Sequence, residues 1–264
     1  MGNKTKILLT GGTGQLGRML LKQIDNEDFH IDILTRNKNI GSIKNVEYIN
    51  ADLTKVETLG SLGSDYDIII HCASDPKNSE SIDIKGTHNL LKSIKGGRPK
   101  NFIYISIVGV DKSTFPYYQN KLKTEELVVD SGIPYTIMRI TQFHDFIYDR
   151  ILNTANLEDG PIIIPDGLQF QSIDLMDVCG EILGLLKNGP SNSTIRIGGP
   201  EILKISDIIR NYQEVIKPEK EISLVPPHND FQKLFTTGIN LCSNHKTGKI
   251  TWRDFLTEKV NNNS

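Results

Sequence analysis

The sequence has few cysteines, and they lie far apart. Three occur among 264 residues, Cys72, Cys179 and Cys242, and no two have the close spacing of a zinc knuckle. So small a number excludes a disulfide framework in a chain of this length. We expect free thiols and no metal site. Together with the lack of a secretory signal sequence, this favours a cytoplasmic protein.

The sequence also lacks a surplus of basic residues and any long apolar run. Its 30 basic and 32 acidic residues give a net charge of −2, so the composition does not favour binding to nucleic acid phosphates. The longest apolar stretch, residues 68–73, is far shorter than the ~20 residues that span a bilayer. We therefore expect a protein that acts on a small molecule and binds neither nucleic acid nor membrane. The sequence leaves the oligomeric state open.

Short branched-apolar runs alternate with amphipathic segments through the first 140 residues. Continuous apolar runs such as residues 68–70 are typical of parallel strands that are covered on both faces. The alternation predicts an α/β fold with a Rossmann-type doubly wound parallel sheet. The predicted strands are residues 6–10, 31–35, 46–49, 67–71, 101–105 and 135–139.

Glycines recur at spacings of three directly after the first predicted strand, where an amphipathic helix begins. Such glycines allow a tight turn, the approach of the backbone to a pyrophosphate, and close packing of the helix on the strand. The helix N-terminus then offers free N–H groups to the anion. We predict an NAD(P)-binding loop; the alternative is an ordinary glycine-rich turn. The predicted cofactor-binding residues of this loop are Gly11, Thr13, Gly14, Gln15, Leu16 and Gly17.

The end of the second predicted strand indicates which cofactor is bound. An acidic residue there would accept hydrogen bonds from the ribose 2′-hydroxyl of NAD, but this chain has Arg36. A guanidinium suits the 2′-phosphate of NADP, because it forms charge-assisted hydrogen bonds. We therefore expect NADP(H) to be preferred over NAD(H); the alternative is a solvated arginine in a surface loop.

The regular alternation of strand and helix patterns ends after Arg139. Helical patterns at residues 174–187, 205–216 and 252–260, with short strand candidates at 162–164 and 194–197, predict a smaller α/β lobe. We therefore divide the chain into an NAD(P)-binding Rossmann domain over residues 1–140 and a substrate-side lobe over residues 141–264.

Three residues near the end of the fifth predicted strand form a candidate catalytic group. Ser106 follows that strand, and Tyr117 and Lys121 share one face of the next predicted helix. A neighbouring ammonium would favour the phenolate form, so Tyr117 could exchange a proton while hydride moves at the cofactor. Ser106 would hold the substrate oxygen. The alternative is a Tyr–Lys pair that only packs on the helix surface.

Five stretches of the sequence are similar to one known family, namely residues 10–17, 83–91, 106–111, 117–121 and 139–146. Through them the chain resembles the atypical short-chain dehydrogenase/reductases. Within these it is similar to the NmrA-like NAD(P)H-binding group, which includes quinone and triphenylmethane reductases. The resemblance extends over about residues 6–180 and is loose over the last 80.

The resemblance implies a set of further contacts to the cofactor. Arg36 would face the adenosine phosphate, and Asp52 and Leu53 would flank the adenine. Ala73 and Ser74 would line the cofactor, and Lys121 would contact the nicotinamide ribose.

The resemblance also implies that Gln142, Phe143 and His144 border the nicotinamide and the substrate. For His144 the residues alone leave a polar helix start as an alternative. Asn89, in the middle of a predicted helix, is expected to bond the backbone or to pack rather than to catalyse.

Three functions follow from these features. The first is an NADPH-dependent oxidoreductase that reduces a small quinone, carbonyl or similar electrophile by hydride transfer. The second is a non-catalytic NADP(H)-binding redox sensor or regulator, because members of the resembled group that lack the Tyr and Lys often have this role; this chain retains both residues, which favours an enzyme. The third is a nucleotide-sugar epimerase or dehydratase, which shares the fold and the catalytic group.

Overall fold

The computed structural model describes residues 4–24, 28–36, 45–60, 62, 65–152, 160–216 and 220–263. The chain forms two compact units, each assembled from separate segments. It changes unit between Met138 and Arg139, next to the predicted division after residue 140. That division itself stays a prediction. The first unit comprises Met1–Ser106, Pro116–Met138 and Cys179–Ile195, and the second comprises Ile107–Phe115, Arg139–Val178 and Arg196–Ser264.

The described residues contain eleven strands. They are β1 (Thr5–Thr10), β2 (Phe29–Thr35), β3 (Val46–Asn50), β4 (Ile68–His71), β5 (Asn101–Ile107), β6 (Tyr135–Ile140), β7 (Ile162–Pro165), β8 (Gln169–Phe170), β9 (Ser193–Ile197), β10 (Leu203–Lys204) and β11 (Ile222–Val225). Seven of them form the central sheet, in the order β3-β2-β1-β4-β5-β6-β9. This is the doubly wound arrangement that the sequence predicts.

The strands of the central sheet run parallel. β1 pairs in parallel with β2 and β4, β2 pairs with β3, and β4 pairs with β5. Between β5 and β6, Phe102 N bonds Pro134 O and Val108 N bonds Ile140 O, so both strands advance together. The strand order changes direction between β1 and β4. The switch point, where such sheets bind ligands, therefore lies at the carboxyl ends of these two strands.

Nine α-helices lie within the described residues. They are α1 (Gln15–Gln23), α2 (Val56–Leu59), α3 (Gly86–Ile94), α4 (Pro116–Asp130), α5 (His144–Phe146), α6 (Leu175–Asn188), α7 (Ile205–Ile216), α8 (Asp230–Leu234) and α9 (Trp252–Asn263). Two π-helical turns, Glu80–Lys85 and Ile147–Leu152, adjoin α3 and α5. None of the helices in these parts of the chain combines the length and apolar character of a membrane span.

One apolar cluster holds α3 and α4 against the sheet in the first unit. Alternate residues of the buried strands point to the same face, and the helices pack their apolar side chains onto it. Full burial of each such side chain stabilises the fold by about 1.5–3 kcal/mol. The cluster includes Leu8, Ile69, Phe102, Tyr104, Leu90, Ile94, Val128 and Ile137.

The second unit is built on short strand pairs and two packed helices. β7 pairs in parallel with β11, and β8 pairs antiparallel with β10. Helix α7 buries one face, which includes Ile205, Ile208 and Tyr212. The indole nitrogen of Trp252, at the start of α9, donates to the carbonyl of Ile208 at 3.1 Å, which fixes α9 on α7.

The predicted strands and long helices are confirmed, with three differences. β5 extends to Ile107, so Ser106 lies within the strand and not after it. β9, which was expected in the smaller lobe, is the last strand of the central sheet. The residues of β9 alone do not indicate which sheet the strand joins, because its pairing depends on where the preceding helix α6 ends in the fold. The π-helical turns were not predicted.

Candidate active site

The loop between β1 and α1 is pressed against the end of β4. Gly11 has a φ of +71°, a conformation that favours glycine. A Cβ atom on Gly11 would lie 2.6 Å from the backbone nitrogen of Ala73, and one on Gly17 would lie 2.5 Å from Gly12 Cα. Both positions therefore exclude a side chain, the first for the turn and the second for close packing of α1.

The start of α1 leaves N–H groups available to an anion. The residue before the helix is Gly14, which has no side chain to cap the first turn. Its N–H donates to the Gly11 carbonyl at 2.9 Å, and Arg18 Nε donates to the Thr13 carbonyl at 2.7 Å. These bonds hold the turn in place. The first-turn amides and the helix dipole together favour a phosphate at this position.

A cleft of about 300 Å³ opens at the carboxyl ends of β1, β2, β3 and β4. The predicted cofactor residues that line it are Gly11, Thr13, Gly14, Arg36, Asp52, Leu53, Ala73 and Ser74. Gln15 is exposed at the start of α1, whereas Leu16 and Gly17 are buried beneath the loop. The space, the glycine cradle and the uncapped helix start fit a dinucleotide.

The end of the cleft beside β2 and β3 carries the guanidinium of Arg36 and the carboxylate of Asp52. Arg36 is exposed at the end of β2, and residues 37 and 38, the next in the predicted loop, lie outside the described residues. Asp52 accepts hydrogen bonds from the N–H and the hydroxyl of Thr54 at 2.9 and 2.8 Å. The hydrogen bond from the Thr54 N–H is the largest cause of a lowered pKa of Asp52; burial opposes it, and the Thr54 hydroxyl and the guanidinium of Arg36 lower the pKa further. Leu53 is fixed through its carbonyl, which accepts from Asn89 at 2.8 Å; this confirms a backbone-bonding role for Asn89.

Ser74 connects the cleft with the predicted catalytic helix. Its hydroxyl lies 2.9 Å from the Tyr117 hydroxyl and donates to Asp83 Oδ1 at 2.7 Å. Lys121, one turn after Tyr117 on α4, lies with its Nζ 3.2 Å from the same Asp83 oxygen. The structure thus brings Ser74, Tyr117 and Lys121 together around one buried carboxylate.

Lys121 is a buried cation. Its Nζ donates to the Ile105 carbonyl at 2.9 Å and lies 4.8 Å from the centre of the Tyr104 ring. Burial alone would lower the pKa of Lys121, but the neighbouring Tyr104, Tyr117 and Asp83 raise it above its ordinary value. The side chain therefore carries a permanent positive charge beside the Tyr117 hydroxyl.

The comparisons with known proteins identify the family of the chain. Residues 11–158, more than half of the 264-residue chain, match the NAD(P)H-binding domain family. The chain belongs to this family. Its resemblance to the atypical short-chain dehydrogenase/reductases of the NmrA-like group is thereby confirmed, as is a nicotinamide cofactor.

Two relatives of this NAD(P)H-binding protein have names that indicate different functions. The photosystem II assembly factor Ycf39 of Cyanophora paradoxa is 25% identical over 229 residues, which cover 83% of this chain and 71% of that protein. The divinyl chlorophyllide a 8-vinyl-reductase of Arabidopsis thaliana is 24% identical over 224 residues, which cover 74% of this chain and 53% of that protein.

Solved structures share the fold across nearly the whole chain. An NADPH-dependent quinone oxidoreductase from Escherichia coli, complexed with NADPH, has a TM-score of 0.77 at 17% identity, covering 96% of this chain and 99% of its own. A UDP-glucuronic acid 4-epimerase from Bacillus cereus, in complex with NAD, has a TM-score of 0.75 at 22% identity, covering 96% of each chain. At these identities the likeness shows the fold alone.

The predicted catalytic Ser106 occupies a different environment from that of Ser74. It is 2% exposed, and its hydroxyl donates to Glu125 Oε1 at 2.5 Å. Glu125 lies one turn after Lys121 on α4, so this bond fixes the helix to β5. The hydroxyl that meets Tyr117 belongs to Ser74.

The predicted substrate residues lie in the second unit. Gln142 accepts a hydrogen bond from Asn240 at 3.2 Å, and Phe143 is half-buried before α5. His144 is 1% exposed. Its Nδ1 lies 2.8 Å from Ser172 Oγ and its Nε2 lies 3.1 Å from the Ile250 carbonyl. This environment favours a structural role for His144.

Asp83 and Glu125 are the site residues that the sequence does not reveal. Each meets its partner across at least nine residues of chain, and neither stands in a motif with a chemical meaning of its own. The only local signal is the stretch 83–91, which carries part of the family resemblance without indicating a role for the carboxylate.

Proposed function

We propose that this protein is an NADPH-dependent oxidoreductase that reduces a small quinone, carbonyl or similar electrophile. The observation that carries the proposal is the position of Tyr117. Its hydroxyl lies 2.9 Å from Ser74, which lines the cofactor cleft, and a buried ammonium stands one helical turn away. A proton donor with a fixed cation therefore adjoins the nucleotide cleft.

Each group of the cleft has a binding task in this proposal. The amides of residues 11–17 would hold the pyrophosphate, and Asp52 and Leu53 would border the adenine. Arg36 would pair with a 2′-phosphate, because the strand it follows ends without an acidic residue. This supports NADP(H) over NAD(H).

Proton transfer is the chemical task of the chain's own residues. A nicotinamide nucleotide held in the cleft would supply hydride to the acceptor. Tyr117 would donate the proton that completes the reduction. Lys121 stabilises the phenolate that remains. Gln142 and Phe143 are proposed to border the acceptor on the basis of the family resemblance alone. Ser106, bonded to Glu125, is proposed to support the position of α4.

Tyr117→Phe tests this assignment. We expect NADPH oxidation with carbonyl acceptors to fall about 10²- to 10⁴-fold, the usual contribution of a positioned acid. Turnover with quinones, which accept hydride directly, should fall less. The measurement is the loss of NADPH absorbance across a panel of aldehydes, ketones and quinones.

Tyr118→Phe is the matched control, because it removes a hydroxyl from the adjacent residue, whose side chain is 3% exposed and has no lysine one turn later. It should retain turnover within a few-fold. Equal activity of Tyr117→Phe and the parent protein on every acceptor would remove Tyr117 from the chemistry.

A non-catalytic NADP(H)-binding sensor is the second candidate. It is favoured by the similarity to Ycf39, a photosystem II assembly factor by name. Saturable NADPH binding without oxidation on any acceptor would support it over the reductase. The epimerase alternative has only fold likeness behind it.

A further inference from the structure

Asp83 is a fully buried carboxylate at the centre of the site. One oxygen, Oδ1, accepts from the Ser74 hydroxyl at 2.7 Å and lies 3.2 Å from Lys121 Nζ. The other accepts from the backbone N–H of Asp75 at 3.3 Å. Burying a carboxylate is costly unless it is paired and hydrogen-bonded, and all three partners meet that requirement.

The local backbone positions this carboxylate. Asp83 lies on the π-helical turn Glu80–Lys85. Turns of this type are rare in proteins as a whole, but many of them occur at functional sites. The loop before it is held by Asp75, whose carboxylate accepts from the N–H of Lys77 at 3.0 Å and from the amide of Asn78 at 2.9 Å. The turn therefore presents Asp83 to Ser74 and α4.

The hydrogen-bond direction around Ser74 follows from elementary chemistry. An ionised carboxylate only accepts hydrogen bonds, and a serine hydroxyl has one proton. Because the Ser74 proton is donated to Asp83, the 2.9 Å contact between Ser74 and Tyr117 requires the Tyr117 hydroxyl to donate.

We propose that Asp83 is a positioning residue that orients Ser74 as an acceptor and thereby keeps Tyr117 protonated, ready to act as the acid. The proposal rests on the reductase function above, in which Tyr117 gives up its proton. In that step the Tyr117 O–H bond breaks, an O–H bond of the product forms, and the phenolate is reprotonated from solvent.

The other titratable groups near Asp83 and Lys121 leave this role to Asp83. Burial lowers the pKa of His71 to about 3 and raises that of Cys72 to about 12, so both are neutral. Burial likewise raises the pKa of Tyr104. Asp75 is ionised, because hydrogen bonds lower its pKa, but it is close to solvent and screened. The buried Glu125, one turn after Lys121, is bonded to Ser106 instead. Lys121 and Asp83 are thus the buried charges that meet at the Ser74–Tyr117 contact.

The test follows Tyr117 directly by NMR of protein labelled with ¹³C at the tyrosine ζ carbon. The Tyr117 resonance is the one that Tyr117→Phe removes. Asp83→Asn keeps the shape and removes the charge, and it leaves Lys121 without a counter-ion. Both changes favour phenolate, so we expect the titration midpoint of this resonance to move to lower pH by about one unit or more.

Ser74→Ala is the second variant, and its sign decides the hydrogen-bond direction. If Ser74 accepts from Tyr117, its removal destabilises the phenol form, and the midpoint moves to lower pH. A move to higher pH would show that Ser74 donates to the phenolate and would overturn the proposal, as would an unchanged midpoint in folded Asp83→Asn. Ser74 is only partly buried, so Ser74→Ala carries the test if Asp83→Asn does not fold.

Glu80→Gln is the matched control, because it neutralises a carboxylate of the same turn whose side chain is 72% exposed and pairs with Lys85 at 3.4 Å. It should leave the Tyr117 midpoint unchanged. The titration needs no substrate. If the expected shifts are observed but the protein reduces no acceptor, the hydrogen-bond direction is supported and the reductase function is refuted. An active enzyme without these shifts would refute the role of Asp83 alone.

Discussion

Arg36 is the side chain on which the proposed preference for NADP(H) rests. It is exposed on the wall of the cleft, at the end of β2. Hydrogen bonds to charged groups contribute about 1.5–3 kcal/mol net. We therefore expect Arg36→Ala to weaken NADPH binding about ten- to hundredfold and NADH binding much less. Fluorescence titration with each nucleotide measures both affinities.

A suitable control for this change is Arg210→Ala. Arg210 is also exposed and pairs with Asp207 at 3.2 Å on α7, in the second unit. Its replacement should leave both affinities unchanged. If Arg36→Ala weakened NADPH and NADH equally, the guanidinium would contact a part common to both nucleotides, and the predicted preference for NADP(H) would be wrong.

At the scale of residues, the sequence predicts those side chains whose neighbours are close along the chain. Tyr117 and Lys121 are one helical turn apart, and Gly11 and Gly17 belong to one loop, so spacing alone carries the information. Asp83 instead meets Lys121 through the packing of a π-helical turn on α4, which no local pattern encodes. Ser106 shows the same limit, because its predicted position after the strand suggested a contact with the substrate, whereas it lies within β5 and donates to the buried Glu125.

The β1–α1 loop is the element that is proposed to hold the pyrophosphate of the cofactor. A methyl group on Gly17 would collide with the backbone of Gly11 and Gly12, so Gly17→Ala must displace the loop from the pyrophosphate position. We expect NADPH and NADH binding to be lost together, by at least tenfold, while the protein remains folded. Isothermal titration and thermal melting separate these two effects.

Gly180→Ala is the corresponding control for the glycine change. Gly180 lies inside α6, and no heavy atom would stand within 4 Å of its new Cβ. The substitution should stabilise the helix by about 0.5–1 kcal/mol and leave nucleotide binding unchanged. A Gly17→Ala protein that binds NADPH normally would show that the loop tolerates a side chain and is not the pyrophosphate site.

At the scale of elements, periodicity predicts the strands and helices that are long enough to show it. β1 and β4 each contain three consecutive apolar residues, and α7 has a clear apolar face. The strand β9 has only five residues with one of them buried, so its pattern does not indicate which sheet it joins. Strand pairing joins residues that are far apart in the sequence, so the pattern within one short strand does not reveal its partner.

For the whole molecule, two buried histidines link stability to pH. Burial lowers the pKa of His71 to about 3 and that of His144 to about 4, from an ordinary value of 6.5. Both folded pKa values are depressed, so their contribution to stability is fully present above pH 6.5. It is lost as the pH falls, because the unfolded chain then binds protons that the folded chain rejects.

We therefore expect the free energy of unfolding to decrease between pH 6.5 and 4.5, by about 1.4 kcal/mol per pH unit for each histidine. Denaturant unfolding at several pH values measures this slope. His144→Gln should make the free energy of unfolding less dependent on pH, whereas His228→Gln, at an exposed position, should not. Burial raises the pKa of Asp174 above its ordinary value, so protonation of this carboxyl in the folded state opposes the decrease. A slope unaffected by His144→Gln would mean that His144 is protonated in the folded protein, and the hydrogen bond from its ring to the Ile250 carbonyl would then belong to a buried cation.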